Sequence, residues 1–178
     1  VVFESVEQIF SFIDKQREKL IQTVSDLSDE QSASRRASDA WSIAQIVEHL
    51  SITESRMLGL INRLLEKAES EGLVNDNKGI IKTISLAAQA EQAKGQKFVA
   101  PEPLIPNQAA TISSSLEKLK TSRASLHQLR TRIESADVSN ARFPHPAFGP
   151  LNGYQWLAFI GLHEAHHLKQ INETLETN

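Results

Sequence analysis

Cysteine is missing from the 178 residues. Disulfides, thiolate nucleophiles and sulfur-ligated zinc are therefore excluded, and any metal must rest on histidine, carboxylate or water. A surplus of one charge sign is missing too. The 19 basic and 22 acidic side chains leave a formal net charge of −3, with no broad basic excess to hold a phosphate backbone. The longest uninterrupted apolar run, Trp156 to Leu162, falls far short of the ~20 residues that a spanning helix needs. Neither nucleic acid nor membrane is expected as a partner. The chain opens Val1-Val2-Phe3-Glu4, with no basic segment leading into a long apolar core. No secretory signal is read there, and a cytoplasmic location is the default expectation.

Helix breakers are scarce. There are seven glycines, and all six prolines fall in two stretches, Pro101-Glu102-Pro103-Leu104-Ile105-Pro106 and Pro144-His145-Pro146-Ala147-Phe148-Gly149-Pro150. These mark breaks between helices. Strand-like alternation is hard to find, so the sequence reads as all-α. At 40% hydrophobic and 23% charged residues, one ordinary domain over 1–178 is expected.

Helix one is outlined by Phe3, Val6, Phe10, Ile13, Leu20 and Val24, one apolar stripe that ends near Leu27. Helix two has the clearest start: Ser42 is a natural N-cap, Gln45 completes a capping box, and Trp41 with Ile46 can form the hydrophobic staple. It should run from Ser42 to about Glu71, where Gly72 lets the chain turn away. Helix three carries Ile112, Leu116, Leu119, Leu126, Leu129 and Ile133. Helix four repeats the cap spacing at Asn152 and Gln155, pairs Leu151 with Trp156, and continues to about Leu175. Four such stripes pack most economically around a shared core, which predicts an up-and-down four-helix bundle. The connection from Gly72 to Asn107 is too long for a tight loop; a short helix around Lys78 to Ala93 is expected in it. Long connections often border a binding site, and the pocket walls are expected from this one and from the Pro144 to Pro150 loop.

Ionisable groups are densest at His163-Glu164-Ala165-His166-His167 in helix four. Positions 163 and 167 lie ~40° apart and one turn up the helix, so both imidazoles can reach one ion. His163 and His166 could also pair, whereas His166 and His167 point ~100° apart. A third ligand is needed. The candidate is His49, the only histidine of helix two, on the flank of that helix's stripe. If the bundle alternates, helices two and four run parallel, and a stagger of about one turn aligns the two sites. The plainer alternative is that these imidazoles only hydrogen-bond; on spacing alone both readings stay open. His127 and His145 read as structural or solvated. Glu164 falls within the apolar arc of helix four, where an unpaired carboxylate is costly. It should have a partner, either as an acceptor that orients a ligand or another polar group, or as a wet group at a bundle opening. Gln45 and Gln170 stand where they could bond near the site, although Gln45 already serves the cap.

The segments Trp41-Ser42-Ile43-Ala44-Gln45-Ile46-Val47-Glu48-His49-Leu50, His145-Pro146-Ala147-Phe148-Gly149-Pro150-Leu151 and Trp156-Leu157 through His163-Glu164-Ala165-His166-His167-Leu168-Lys169-Gln170-Ile171 together resemble the DinB-like (DinB/YfiT-type) four-helix-bundle metalloproteins. The resemblance implies one divalent ion, zinc or nickel, on His49, His163 and His167. His166 takes a position where relatives often carry arginine, and is not counted as a ligand. Some relatives look like transferases or isomerases that use low-molecular-weight thiols; without cysteine, this chain would take its thiol as a cosubstrate. The resemblance also allows a homodimer.

The expected function is a metal-dependent enzyme of thiol S-transferase or hydrolase type acting on a small molecule. A three-histidine ion suits this by polarising a carbonyl, lowering the pKa of water to about 7, or holding a thiolate. The competing class is a non-catalytic or stress-associated protein whose ion staples helices two and four. A helical interaction domain that binds no ion is the third.

Overall fold

The four stripes become four long helices. The computed structural model describes residues 1–77, 79–87, 99–107 and 110–177. Its helices are α1 (Val6–Val24), α2 (Asp29–Ala33), α3 (Ile43–Ser70), α4 (Ile112–Gln128), α5 (Arg130–Ser135) and α6 (Gly153–Thr177). Both expected capping boxes form. Ser42 Oγ accepts from Gln45 N at 3.2 Å while Ser42 N donates to Gln45 Oε1 at 2.9 Å. Asn152 Oδ1 accepts from Gln155 N at 2.9 Å, and Asn152 N donates to Gln155 Oε1 at 3.0 Å. Each such cap is worth about 1 kcal/mol. Helix three is two abutting segments, α4 and α5, with a tight Leu129 N to Leu126 O bond of 3.1 Å at the joint. The short α2, capped by Ser28 and Gln31, buries none of its residues, so no stripe announces it.

Three differences from the sequence reading concern strands. Phe3 lies in β1 (Val2–Ser5), ahead of α1 rather than inside it. The region expected to be helical around Lys78 to Ala93 contains β2 (Ile80–Ser85) instead. Its isoleucines suit a pleated surface, and it pairs antiparallel with β1, Phe3 opposite Ile84 and Ser5 opposite Ile80. Lys78 and residues 88–93 of that expected helix lie outside the described residues. The second proline cluster is a hairpin, β3 (Arg142–His145) with β4 (Gly149–Asn152). Its turn is closed by Gly149 at φ +67°, a left-handed conformation that favours glycine.

A bundle forms, but its directions do not alternate. Along α1, Glu7 meets Arg130, Asp14 meets Arg123, and Arg17 meets the Leu119 carbonyl, so α1 and the α4–α5 pair run antiparallel. Glu54 meets Ser122 and Glu69 meets Arg132, so α3 and α4–α5 run parallel. His49 meets His163 near the start of α3, whereas Tyr154 at the start of α6 meets Asn75 beyond the end of α3. Helices α3 and α6 are therefore antiparallel, and the expected parallel stagger of helices two and four is corrected. The cause is the long connection. A 28-residue helix spans ~42 Å, and only a chain that crosses back over that length can start the next helix beside its beginning.

The core is divided by a charged layer. One apolar cluster joins Val6, Ile9, Phe10 and Ile13 to Met57, Ile61, Leu126 and Ile160; the other joins Leu20 and Val24 to Ile46, Leu50, Leu119 and Leu168. Between them each long helix contributes one buried ion: Arg17, Glu54, Arg123 and Glu164. Arg17 reaches Glu164 at 2.6 Å and Glu54 at 2.5 Å, and Arg123 reaches both carboxylates at 3.2 Å. The quartet is balanced, two charges of each sign, as burial demands. Close to it, α1 and α6 touch at Gly161: a Cβ there would lie 2.6 Å from Phe12 Cε1 and 2.9 Å from Ile13 Cγ2. No helix among the described residues is long and apolar enough to cross a membrane.

Candidate metal centre

His49, on the second turn of α3, faces His163 and His167 on the middle turns of α6. The His49 and His163 Nε2 atoms are 3.3 Å apart, and those of His167 and His163 are 3.2 Å apart. One ligand atom from each of the three lies within 4.8 Å of the others, the only such group among the described residues. For comparison, nitrogens ~2.1 Å from a tetrahedral ion stand ~3.4 Å from one another.

The outer ring nitrogens set the tautomers. His49 Nδ1 donates to the Leu104 carbonyl at 2.8 Å, a bond supplied by the 3₁₀ turn Glu102–Leu104 in the first proline cluster. His167 Nδ1 donates to Gln170 Oε1 at 2.8 Å, and Gln170 Nε2 in turn donates to His166 Nε2 at 3.2 Å. Both Nε2 atoms therefore present lone pairs inward. One proton on His163 Nε2 could satisfy only one of them, leaving the other lone pair pressed against a neighbouring nitrogen with no hydrogen between, a repulsive contact. A cation among the three removes that repulsion, so the donor set fits a metal.

Burial keeps the rings neutral and ready to ligate. It lowers the His49 pKa against the opposing bond from Leu104. It lowers His163 well below the ordinary value, with neighbouring His167 and His49 adding to the effect. Burial, and then His49, push His167 down to about 3. The sign of the consequence is clear. Between pH 6.5 and the folded pKa the unfolded chain binds more protons, so stability is whole above 6.5 and lost as pH falls. For His167 alone, moving chelator-treated protein from pH 7 to pH 5 should cost about 2 kcal/mol, or about 4–8 °C in thermal midpoint. A midpoint that does not move would show solvated rings and a different packing.

The other expected residues are placed as follows. Glu164 does have partners, but they are Arg17 and Arg123 rather than an imidazole; it is 1% exposed, so it is not wet either. Burial pushes its carboxyl up and the two arginines oppose this. Gln170 bonds at the site, while Gln45 stays in its cap. His166 is exposed and outside the cluster. His127 pairs with Asp14 at 3.1 Å. His145 is held in the hairpin, where its Nδ1 accepts from Ala147 N and Phe148 N at 3.0 and 3.2 Å. Sequence reasoning missed Leu104, whose carbonyl no residue type announces. It also missed Arg17, Glu54 and Arg123, although each is a charge occupying a step in an apolar stripe.

The profile of the DinB superfamily matches residues 13–171. The chain belongs to the DinB superfamily. This DinB-superfamily chain is 26% identical over 151 residues to the uncharacterized protein YuaE of Bacillus subtilis (strain 168), covering 84% of this chain and 86% of YuaE. Two solved structures are similar in fold. TT2238, a four-helix bundle protein, matches with a TM-score of 0.61 at 22% identity, covering 94% of this chain and 98% of that one. YfiT from Bacillus subtilis, described as a probable metal-dependent hydrolase with an unusual four-helix bundle topology, matches with a TM-score of 0.63 at 19% identity, covering 96% of this chain and 86% of YfiT.

Proposed function

We propose that this DinB-superfamily protein is a metal-dependent hydrolase of small molecules, with one divalent ion held by His49, His163 and His167. The observation that carries the reading is the convergence of three Nε2 atoms, two of them fixed as lone-pair donors by the bonds behind them. The description of YfiT as a probable metal-dependent hydrolase supports the reaction class.

Among the described residues the cluster has three members and no fourth histidine or carboxylate. A structural ion usually closes its shell with four protein ligands, whereas three leave room for water and substrate. An ion so held supplies Lewis acidity to a carbonyl and makes water a nucleophile near neutral pH. The chain's own groups do the positioning. Leu104 and the Trp41 ring, 4.8 Å from His49 between centroids, fix that ligand, and Gln170 orients His167.

The test is elemental analysis of purified protein, loaded in turn with zinc and nickel, followed by a panel of esters and amides with and without a low-molecular-weight thiol. About one ion per chain is expected, with cleavage that stops on chelation and returns with the ion. Protein that binds no stoichiometric ion would overturn the reading. Turnover only with the thiol would move it from hydrolysis to sulfur transfer, and ion without turnover would make the ion a staple between α3 and α6.

A further inference from the structure

Of the three ligand histidines, His49 and His167 are buried, at 4% and 7% exposure, while His163 is half-buried. His163 is therefore the least covered of the three, and what lines its side bears on which molecules reach the centre. Phe159 is one turn before His163 on the same face of α6, with ring centroids 5.5 Å apart. The β3–β4 hairpin brings two more rings to that face. His145 meets Phe159 edge-on at 4.6 Å and stacks on Phe148 at 4.7 Å with 18° between planes; Phe148 meets Phe159 at 5.4 Å. Trp156 forms the floor: it is buried, its Nε1 donates to the Phe143 carbonyl at 3.2 Å, and its ring is T-shaped to Phe159 at 5.9 Å.

This cluster differs from the core aromatics. Phe10 and Tyr154 are closed off at 1% and 2% exposure, whereas Phe148 and Phe159 are half-buried, packed on the edge of the core beside the half-buried ligand. The wall carries no charge. His145 Nδ1 accepts two backbone N–H groups, which places the ring hydrogen on Nε2, and burial pushes its pKa down to about 4. Among the described residues that Nε2–H has no hydrogen-bond partner, so the wall offers flat apolar surface and one neutral donor.

We propose that Phe148, Phe159 and His145 form the specificity wall of the metal centre, and that the substrate carries an aromatic ring which packs there while its polar head reaches the three histidines. This rests on the metal-dependent reading above and adds the substrate class to it. An aromatic ring is favoured because offset and edge-to-face contacts of the kind His145, Phe148 and Phe159 make with one another reward a ring beyond simple area. His145 is a positioning residue here: its two backbone bonds hold the turn that carries Phe148 against Phe159.

The test uses zinc-loaded protein and two chelating probes that share a head group, phenylacetohydroxamate and acetohydroxamate, titrated by calorimetry, with zinc content measured on every sample. The phenyl probe should bind about tenfold tighter or better. In F159L and F148A, the second lying on the hairpin rather than on the ligand helix, that preference should fall to within about twofold. Circular dichroism and zinc content verify that both variants are folded and loaded. Equal binding of the two probes to loaded wild type, or a preference untouched in both variants, overturns the wall and leaves the metal centre standing. Protein that takes up no zinc and binds neither probe overturns the metal-dependent reading, and the wall with it.

Discussion

H163A is expected to lose metal affinity by more than ~100-fold while keeping its helical content. Removing an outer-shell partner of a ligand costs 10–100-fold, and removing a ligand costs more. His163 is the member that links the other two, at 3.3 Å to His49 and 3.2 Å to His167. The fold should tolerate the change, because the side chain is half-buried rather than part of the apolar core and alanine is the best helix former for an interior turn of α6. The control is H166A. That ring points ~100° away from His167 and is exposed, so the variant should hold zinc within a few-fold of wild type. Competition against a chromophoric chelator measures both affinities, and far-UV circular dichroism measures helicity. An H163A protein with unchanged affinity would refute the ligand assignment, and an H166A protein that fails like H163A would shift the assignment to the other pair on α6.

The largest expected effect on stability lies one layer away. R17M removes the guanidinium that reaches both Glu54 and Glu164, and leaves two buried carboxylates facing Arg123 alone. Breaking a buried pair in this way costs about 3–5 kcal/mol, because the surviving charge stays buried without its counter-ion. For a chain of this size that is a fall of about 6–20 °C in thermal midpoint. R17M/E164L should recover most of the loss, since Arg123 and Glu54 then remain as a balanced pair and the new side chains extend the apolar clusters on either side. Denaturant unfolding of the three proteins measures this. A loss below about 1 kcal/mol in R17M would mean that water reaches the quartet.

The two sets of buried groups have different origins in the chain. Adjacent residues of one helix belong to different layers: His163 faces α3 through His49, and Glu164 faces α1 through Arg17. The ~100° step between neighbours makes this separation automatic, so one helix carries a ligand set and a charged core layer without either disturbing the other. The pairing of His163 with His167 was legible because it follows from the same step. That of Glu164 with Arg17, 147 residues apart in the chain, was not.

Local patterns were sound guides wherever the deciding interaction spans a few residues. Ser42 with Gln45 and Asn152 with Gln155 mark their helix starts, and the apolar stripes mark the faces that pack. The strand Ile80–Ser85 escaped for the opposite reason: it is a strand only because Val2–Ser5, three helices earlier in the chain, pairs with it.

By itself, then, the amino-acid order determined four amphipathic helices, where α3 and α6 begin, and a set of three imidazoles able to share one cation. These depend on torsions and contacts within one or two turns. Tertiary structure alone decided that α3 and α6 run antiparallel, that Leu104 locks the His49 tautomer, that Arg17 and Arg123 neutralise Glu54 and Glu164, and that a hairpin sets an aromatic wall beside His163. Each of those is a meeting of distant segments, and its energy exists only once the crossover has chosen which helices become neighbours.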